Sequence, residues 1–430
     1  MHAVIDFHTE RANDACAKTR DAQPRWASEP IAYRLRLIRE LRHLIAANAE
    51  TLAIAAAAVS DRPVAEKLVS EVLPLADACR WLERNAASVL ASRRYGKRER
   101  PFWMQGVSFE VQRQPFGVVL VIGPGNYPLF LPAIHSLHAL AAGNAVLLKP
   151  APGTRSLALI FAQLARAAGF NSALLTILPE DVEAAHDAIA DGVDKVIFTG
   201  SSENGRDVLA RLAATNTPAV MELSGEDAVI VFADADVDLV VRALKFGARL
   251  NDGATCIAPR RLIVERSIAD DLGTRLAHAG VTQLPLDTFR DEEGALDYIH
   301  SASFALGASI FSRDITRART LAARIKSGFV LINNLIVPTA DPRMPFGGVK
   351  ASGFGSTRGN EGLLEMTFPH VVAVNRGNSH RHFDETGADD ARLFSSYIRA
   401  AHGRGRERFG AIVDLVRELI DAIKRRKANS

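Results

Sequence analysis

The chain has 430 residues, 48% hydrophobic and 23% charged, an ordinary globular composition that excludes a disordered or fibrous protein. Lys and Arg total 52 against 49 Asp and Glu, so no polyanionic partner is implied, and 7% aromatics argue against a base-stacking surface. Three cysteines are too few, and odd in number, for a disulfide framework; with neither a leader-like N-terminus nor a bilayer-length apolar run, a cytoplasmic location is expected.

Residues 30–59 read as one long helix: Pro30 stands at its start and Leu35, Ile38, Leu41 and Ile45 recur at helical spacing. A second helical stretch runs from about Val64 to Leu90, followed by a basic, turn-rich connection over 92–101. Residues 107–114 alternate apolar and polar, as a half-exposed strand does. From 116 the texture changes to short β-branched runs at 117–123, 145–150, 174–179, 195–200, 219–223 and 228–232. Helical stretches separate them, among them 130–142, 155–168, 203–213 and 236–250. Runs that are apolar on both faces and alternate with helices indicate a parallel sheet covered on each side. The alternation resumes at RLIVE (261–265), GASIF (307–311) and GFVLIN (328–333), so two consecutive open-sheet α/β units are expected. A polar, turn-rich tail follows 376. Residues 407–427 then make an amphipathic helix with Phe409, Ile412, Val413, Val416, Leu419, Ile420 and Ile423 on one face and Lys424–Lys427 beyond.

Several stretches carry chemistry-bearing residues. Cys256 lies in NDGATC (251–256), a small-residue loop that suits a thiolate nucleophile, although for that residue taken alone a buried structural cysteine is the commoner reading. Cys16 and Cys79 sit in helical contexts without glycine, and no tight Cys/His cluster suggests zinc. Glu222 ends an apolar strand, where a carboxylate serves either as a general base or as an exposed strand end. Asn126 follows a buried-type strand in IGPGNYP (122–128), as an oxyanion donor or as plain turn chemistry. In FTGSSENG (198–205), Ser201 or Ser202 can cap a helix whose free N–H groups suit a pyrophosphate. Lys149 closes its strand where it can reach a nucleotide, or simply be solvated. PFGGVKASGFG (345–355) is too specific in sequence for a flexible linker.

Taken in order, PFGVVLVIGPGNYP (115–128), AAGNAVLLKP (141–150), FTGS (198–201), MELSG (221–225), NDGATC (251–256) and PFGGVKASGFG (345–355) resemble the aldehyde dehydrogenase superfamily across roughly residues 30–375. The resemblance is closest to its class 3 and fatty-aldehyde branch. It implies two Rossmann-like open parallel-sheet domains with a small β-arm and a C-terminal helical extension. The N-terminal helices and dinucleotide-binding domain would occupy 1–221, with the 107–114 arm strand inserted. A shortened catalytic domain would occupy 222–345, a return segment and arm strand 346–376, and the extension 377–430.

The resemblance also implies roles. Cys256 is then the nucleophile that forms a thiohemiacetal and a thioester, Asn126 the oxyanion donor and Glu222 the activator of water. Ile122, Gly123, Pro124, Lys149, Gly200, Ser201, Gly205 and Leu223 would hold NAD or NADP. Pro152 stands where NAD-preferring members usually carry Glu, so NADP is as well accommodated as NAD. Ala254, Ser224 and Glu226 also depart from the usual residues. Between Cys256 and Pro345 the chain is several tens of residues shorter than the family pattern, and the Glu-x-Phe-Gly-Pro motif that normally grips the nicotinamide ribose is absent.

Three functions follow: NAD(P)-dependent oxidation of an aldehyde to a carboxylic acid, a degenerate homologue with little redox activity acting as a scaffold or regulator, or a thiol esterase using the same cysteine. A homodimer is expected through the 107–114 and 371–374 strands. The C-terminal helix is expected to pack on the protein or a subunit interface, or to touch an anionic membrane peripherally; no nucleic acid is implied.

Overall fold

The computed structural model describes residues 12–377, 383, 385–387 and 390–428. Its larger sheet has six strands in the order Gly353–Phe354, Ala219–Glu222, Lys195–Thr199, Val118–Ile122, Ala145–Lys149 and Leu175–Ile177, all parallel except the first pair. The second sheet has five parallel strands in the order Leu286–Phe289, Pro259–Glu265, Asp227–Val231, Gly307–Phe311 and Phe329–Ile332. The β-branched runs become strands because neither face meets water. Val118, Leu120 and Ile122 enter one apolar cluster while Val119 and Val121 enter another, the period of two that a strand imposes. Val229 and Val231 likewise face one cluster, and Ala228 and Ile230 the other.

Two stretches expected to be regular helices are not. Over 30–59 two helices form, Ile31–Ala47 and Ala49–Ser60, bent by 73°. The break is at Asn48, whose Nδ2 donates to the Leu44 carbonyl at 2.8 Å and competes with the helical ladder. The second stretch is α-helical over Val64–Lys67 and Leu73–Val89, but Leu68–Val72 between them is a wider π turn. Lys67 and Glu71, both fully buried, flank and occupy that turn.

Both sheets belong to one compact unit, which extends to Arg93 and from Glu110 to Val372. The second unit comprises Arg94–Phe109 and the chain from Ala373. In it the helices Asp390–His402 and Gly405–Ala428 pack on each other, with Ser396, Ala400 and Ala411 buried. The expected apolar stripe of the last helix is largely exposed: Phe409, Ile412, Val413, Val416, Leu419, Ile420 and Ile423 are 42–74% accessible. Small residues make the helix pair, so the large ones are left outside it. The side chains of Arg425, Arg426 and Lys427 lie outside the described residues. Among the described residues no single helix is long and apolar enough to cross a membrane.

Candidate active site

In open parallel sheets, ligands gather at the carboxyl ends of the strands. Here Ile122, Lys149, Thr199 and Glu222 end four neighbouring strands of the six-stranded sheet and all line one cleft of about 670 Å³. Gly123, Pro124, Asn126, Gly200, Ser201, Leu223 and Cys256 line it too. Ser201 caps the helix Ser202–Ala213, its Oγ accepting from the Asn204 N–H at 3.2 Å, so the positive end of that helix opens at the cleft. Lys149 is buried and makes no ion pair with any described residue; desolvation lowers its pKa, with Asp181 and Glu180 opposing. A buried ammonium beside a helix N-terminus is a donor set that suits the hydroxyls and phosphates of a dinucleotide.

Gly205 is the expected site residue that lies outside the cleft wall. It packs beneath the cleft on the first turns of the capped helix, where an added Cβ would come 2.5 Å from Leu223 Cδ2. Its smallness sets the helix-to-sheet approach beneath the cleft.

Cys256, Asn126 and Glu222 reach the cleft from segments far apart in sequence. Cys256 follows a tight turn in which Asn251 and Asp252 adopt left-handed backbone angles. Burial pushes its thiol up to about 12, and the carboxylates of Glu222 and Asp227 add to the rise, while Arg358 opposes it. The resting sulfur is therefore protonated. The Asn126 Nδ2 donates to the Ala254 carbonyl at 2.8 Å, two residues before the cysteine, and its Oδ1 accepts from the Tyr127 N–H at 3.0 Å. Asn251 Nδ2 donates to the Asn126 carbonyl at 2.8 Å, and the Tyr127 hydroxyl meets Thr255 Oγ1 at 2.7 Å. Three of these contacts tie the Asn126 turn to the cysteine turn.

Glu222 is 3% exposed, yet it is not left bare. Thr199 Oγ1 donates to its Oε2 at 3.0 Å, Thr357 Oγ1 donates to its Oε1, and His135 Nε2 stands 3.7 Å away. Burial alone would raise its pKa; His135, the charge of Arg358 and the Thr357 hydrogen bond outweigh that and hold the carboxyl below its ordinary value. It is an ionised base.

His135, Thr357 and Arg358 were not singled out from the sequence. His135 looks like one apolar-helix residue among many on Phe130–Ala142, which is buried throughout. Thr357 and Arg358 follow the glycine-rich stretch, where turn residues are expected.

A second chamber, of about 420 Å³, meets the cysteine from the other side. Its wall is almost wholly apolar, with Leu73, Phe130, Phe246, Ile336 and Phe346. Cys256, Thr255 and Phe346 line both spaces, so the sulfur stands where they meet.

The shortened segment closes simply. The helix Ala269–His278 is followed by residues 279–285 and then by Leu286–Phe289, which pairs parallel to Pro259–Glu265. No residue between Arg260 and Leu306 lines the cleft.

The sequence model of the Aldehyde dehydrogenase family matches residues 2–287 and 281–372, two stretches that break at this junction. Succinate semialdehyde dehydrogenase [NAD(P)+] Sad of Escherichia coli is 27% identical over 417 residues, covering 79% of this chain and 88% of that protein. The 4,4'-diapolycopene aldehyde oxidase of Methylomonas is 27% identical over 429 residues, covering 84% of this chain and 81% of that one. An alignment of that length holding only that share of the chain leaves several tens of positions without a residue here. A crystal structure of aldehyde dehydrogenase from Brucella melitensis biovar abortus 2308 superposes with a TM-score of 0.79 at 25% identity, covering 85% of this chain and 90% of that one. The chain belongs to the aldehyde dehydrogenase family.

Proposed function

We propose that this aldehyde dehydrogenase oxidises its substrate to a carboxylic acid through a covalent thioester on Cys256, with NAD or NADP in the cleft that Lys149, Gly200 and Ser201 line. The observation that carries the reading is convergence: a thiol, an ionised carboxylate and a side-chain amide, drawn from three distant segments, line one cleft together with a buried lysine and a helix N-terminus. When bound, the dinucleotide supplies the hydride acceptor.

The residues divide the remaining work. The Cys256 thiol is protonated at rest, so it sheds that proton to solvent as it attacks. The sulfur forms a bond to the aldehyde carbon, and the carbonyl oxygen takes the electron pair as an oxyanion. Asn126 Nδ2 turns from the Ala254 carbonyl to that oxygen; losing one such donor typically costs about 10²–10³-fold in turnover. Loss of hydride from carbon leaves the thioester. Glu222 then takes a proton from water, the water oxygen attacks the thioester, and the carbon–sulfur bond breaks; the acid leaves as that proton passes from Glu222 to the sulfur and restores the thiol. On this reading Thr199 and Thr357 aim the carboxylate, and His135, Arg358 and Thr357 keep it ionised.

A second reading, thiol-ester hydrolysis without redox, rests on the wall of the cleft, to which nothing between Arg260 and Leu306 contributes. Nicotinamide reduction is measured with a panel of aldehydes and both dinucleotides, on wild type and Cys256→Ser. Reduction that vanishes in the variant is expected. Ester hydrolysis lost in the variant and indifferent to dinucleotide, with no reduction by wild type, would establish the second reading instead. Val371, Val372 and Val374 are exposed on the strand Thr367–Asn375, and pairing with a second copy would cover them. Light scattering is expected to return the mass of a dimer.

A further inference from the structure

The apolar chamber contains one charged wall residue, Arg358, and that residue is held there at a cost. It is 4% exposed, and its backbone φ is +62°, a left-handed value that non-glycine residues avoid. The guanidinium lies 4.3 Å from the Phe346 ring centre and 5.8 Å from that of Phe130. Its Nη1 donates to the Thr339 carbonyl, while its Nε has no partner. No carboxylate among the described residues lies within 4.0 Å of it. Glu222 is the anion that acts on it most strongly, but both Glu222 oxygens already accept hydrogen bonds, from Thr199 and Thr357.

A buried guanidinium without a bonded anion is destabilising, and its planar set of donors matches a carboxylate in two-point contact. Arg358, with its strained backbone and unpartnered Nε, lines the same chamber as Cys256. We propose that Arg358 binds a carboxylate carried by the substrate itself, so that the chamber selects short aldehydes bearing a second, anionic end (oxo-acids), and the product is a dicarboxylate. The chamber's volume limits the carbon chain between the two ends, and its apolar wall accepts the methylenes. This inference rests on the reading of Cys256 as the aldehyde's partner, and the experiment below separates the two.

The kcat/KM of three- to six-carbon ω-oxo-acids is compared with that of the n-alkanals of equal length, on wild type, Arg358→Met and Arg358→Lys. A charge-assisted contact of this kind is worth roughly 10- to 100-fold, so wild type should prefer the oxo-acid of best length by about that factor. The preference should collapse to within about threefold in Arg358→Met, mainly through KM, and survive in part in Arg358→Lys. Using the ratio removes any shared loss that comes from a changed charge around Cys256 and Glu222. A wild type that prefers alkanals, or a ratio unmoved in Arg358→Met, overturns the proposal. The second measurement needs no turnover: titration calorimetry with butanedioate on Cys256→Ser and on Cys256→Ser/Arg358→Met. Binding seen in the first and lost in the second supports the carboxylate anchor even if no aldehyde is oxidised; equal heats in both overturn it. Absence of aldehyde turnover alone refutes the catalytic reading and not this one.

Discussion

The buried pair behind the site offers the sharpest test of how the Asn126 and Cys256 turns are held. Lys67 and Glu71 are both fully buried, and their charged atoms are 3.1 Å apart. Glu71 Oε2 also accepts the backbone N–H groups of Leu129 and Phe130 at 2.7 and 3.1 Å, at the start of the helix that follows Asn126. Lys67 Nζ reaches Asn251 Oδ1 at 3.4 Å, and Glu66 Oε1 accepts the Asn251 N–H at 3.0 Å. Glu71→Ala therefore strands an ammonium in the interior, which costs about 3–5 kcal/mol, and leaves two helix-start N–H groups unbonded at roughly 1–3 kcal/mol each. Water entering the vacated space recovers part of this, so a net loss of about 5 kcal/mol is expected. Lys67→Met should cost less, because the remaining carboxylate keeps both N–H donors. Urea unfolding followed by tryptophan fluorescence and by circular dichroism measures both changes; Trp81 lies on the helix that continues from this turn. A loss below about 1 kcal/mol for Glu71→Ala, or a larger loss for Lys67→Met, would refute the assignment of this pair as the clamp.

Other consequences can be measured separately. Burial pushes the Asp227 carboxyl up to about 7, the Gly307 N–H and the charge of Arg260 offsetting only part of the rise. An acid that holds its proton longer when folded loses stability as pH rises from about 4 to 7; Asp227→Asn, which keeps an acceptor for Gly307, should match wild type at pH 4 and exceed it at pH 8 by up to about 4 kcal/mol, and parallel stability curves would refute this. Because Glu222 helps to keep the Cys256 thiol protonated, Glu222→Gln should speed iodoacetamide labelling of Cys256 at pH 8 about threefold or more, read by mass spectrometry; slower labelling contradicts the charge assignment. Gly205→Ala should lower stability by about 1–3 kcal/mol and weaken dinucleotide binding by fluorescence titration, since its Cβ would press into Leu223; unchanged values for both would show that the helix has room to move.

Much of the site was readable before any coordinates. Apolar runs at 118–122, 145–149, 195–199 and 219–222 place Lys149, Thr199 and Glu222 at strand ends, because strand period and length are local properties. The small-residue turns around Asn126 and Cys256 were equally plain. What escaped was contact between segments. Asn48 looks like any polar residue on an amphipathic helix until its side chain bonds the preceding turn. Gly205 looks like part of a phosphate loop until the strand beneath it is seen. The partners of Glu222 come from residues 135, 199 and 357, and no spacing rule links them.

By itself the sequence determined the order of the strands and the covered parallel sheets, since periodicity and turn chemistry act over a few residues, and its family resemblance pointed to the thiol, the carboxylate and the amide. Only the tertiary structure decided what those groups are worth chemically. Whether a carboxyl is ionised, a thiol protonated or a guanidinium left unpaired depends on how much water is excluded and which charges are brought near. Most of those neighbours come from distant chain segments: Glu222 is ionised because His135, Arg358 and Thr357 are brought against it, and Arg358 faces an apolar chamber because Phe130 and Phe346 close around it.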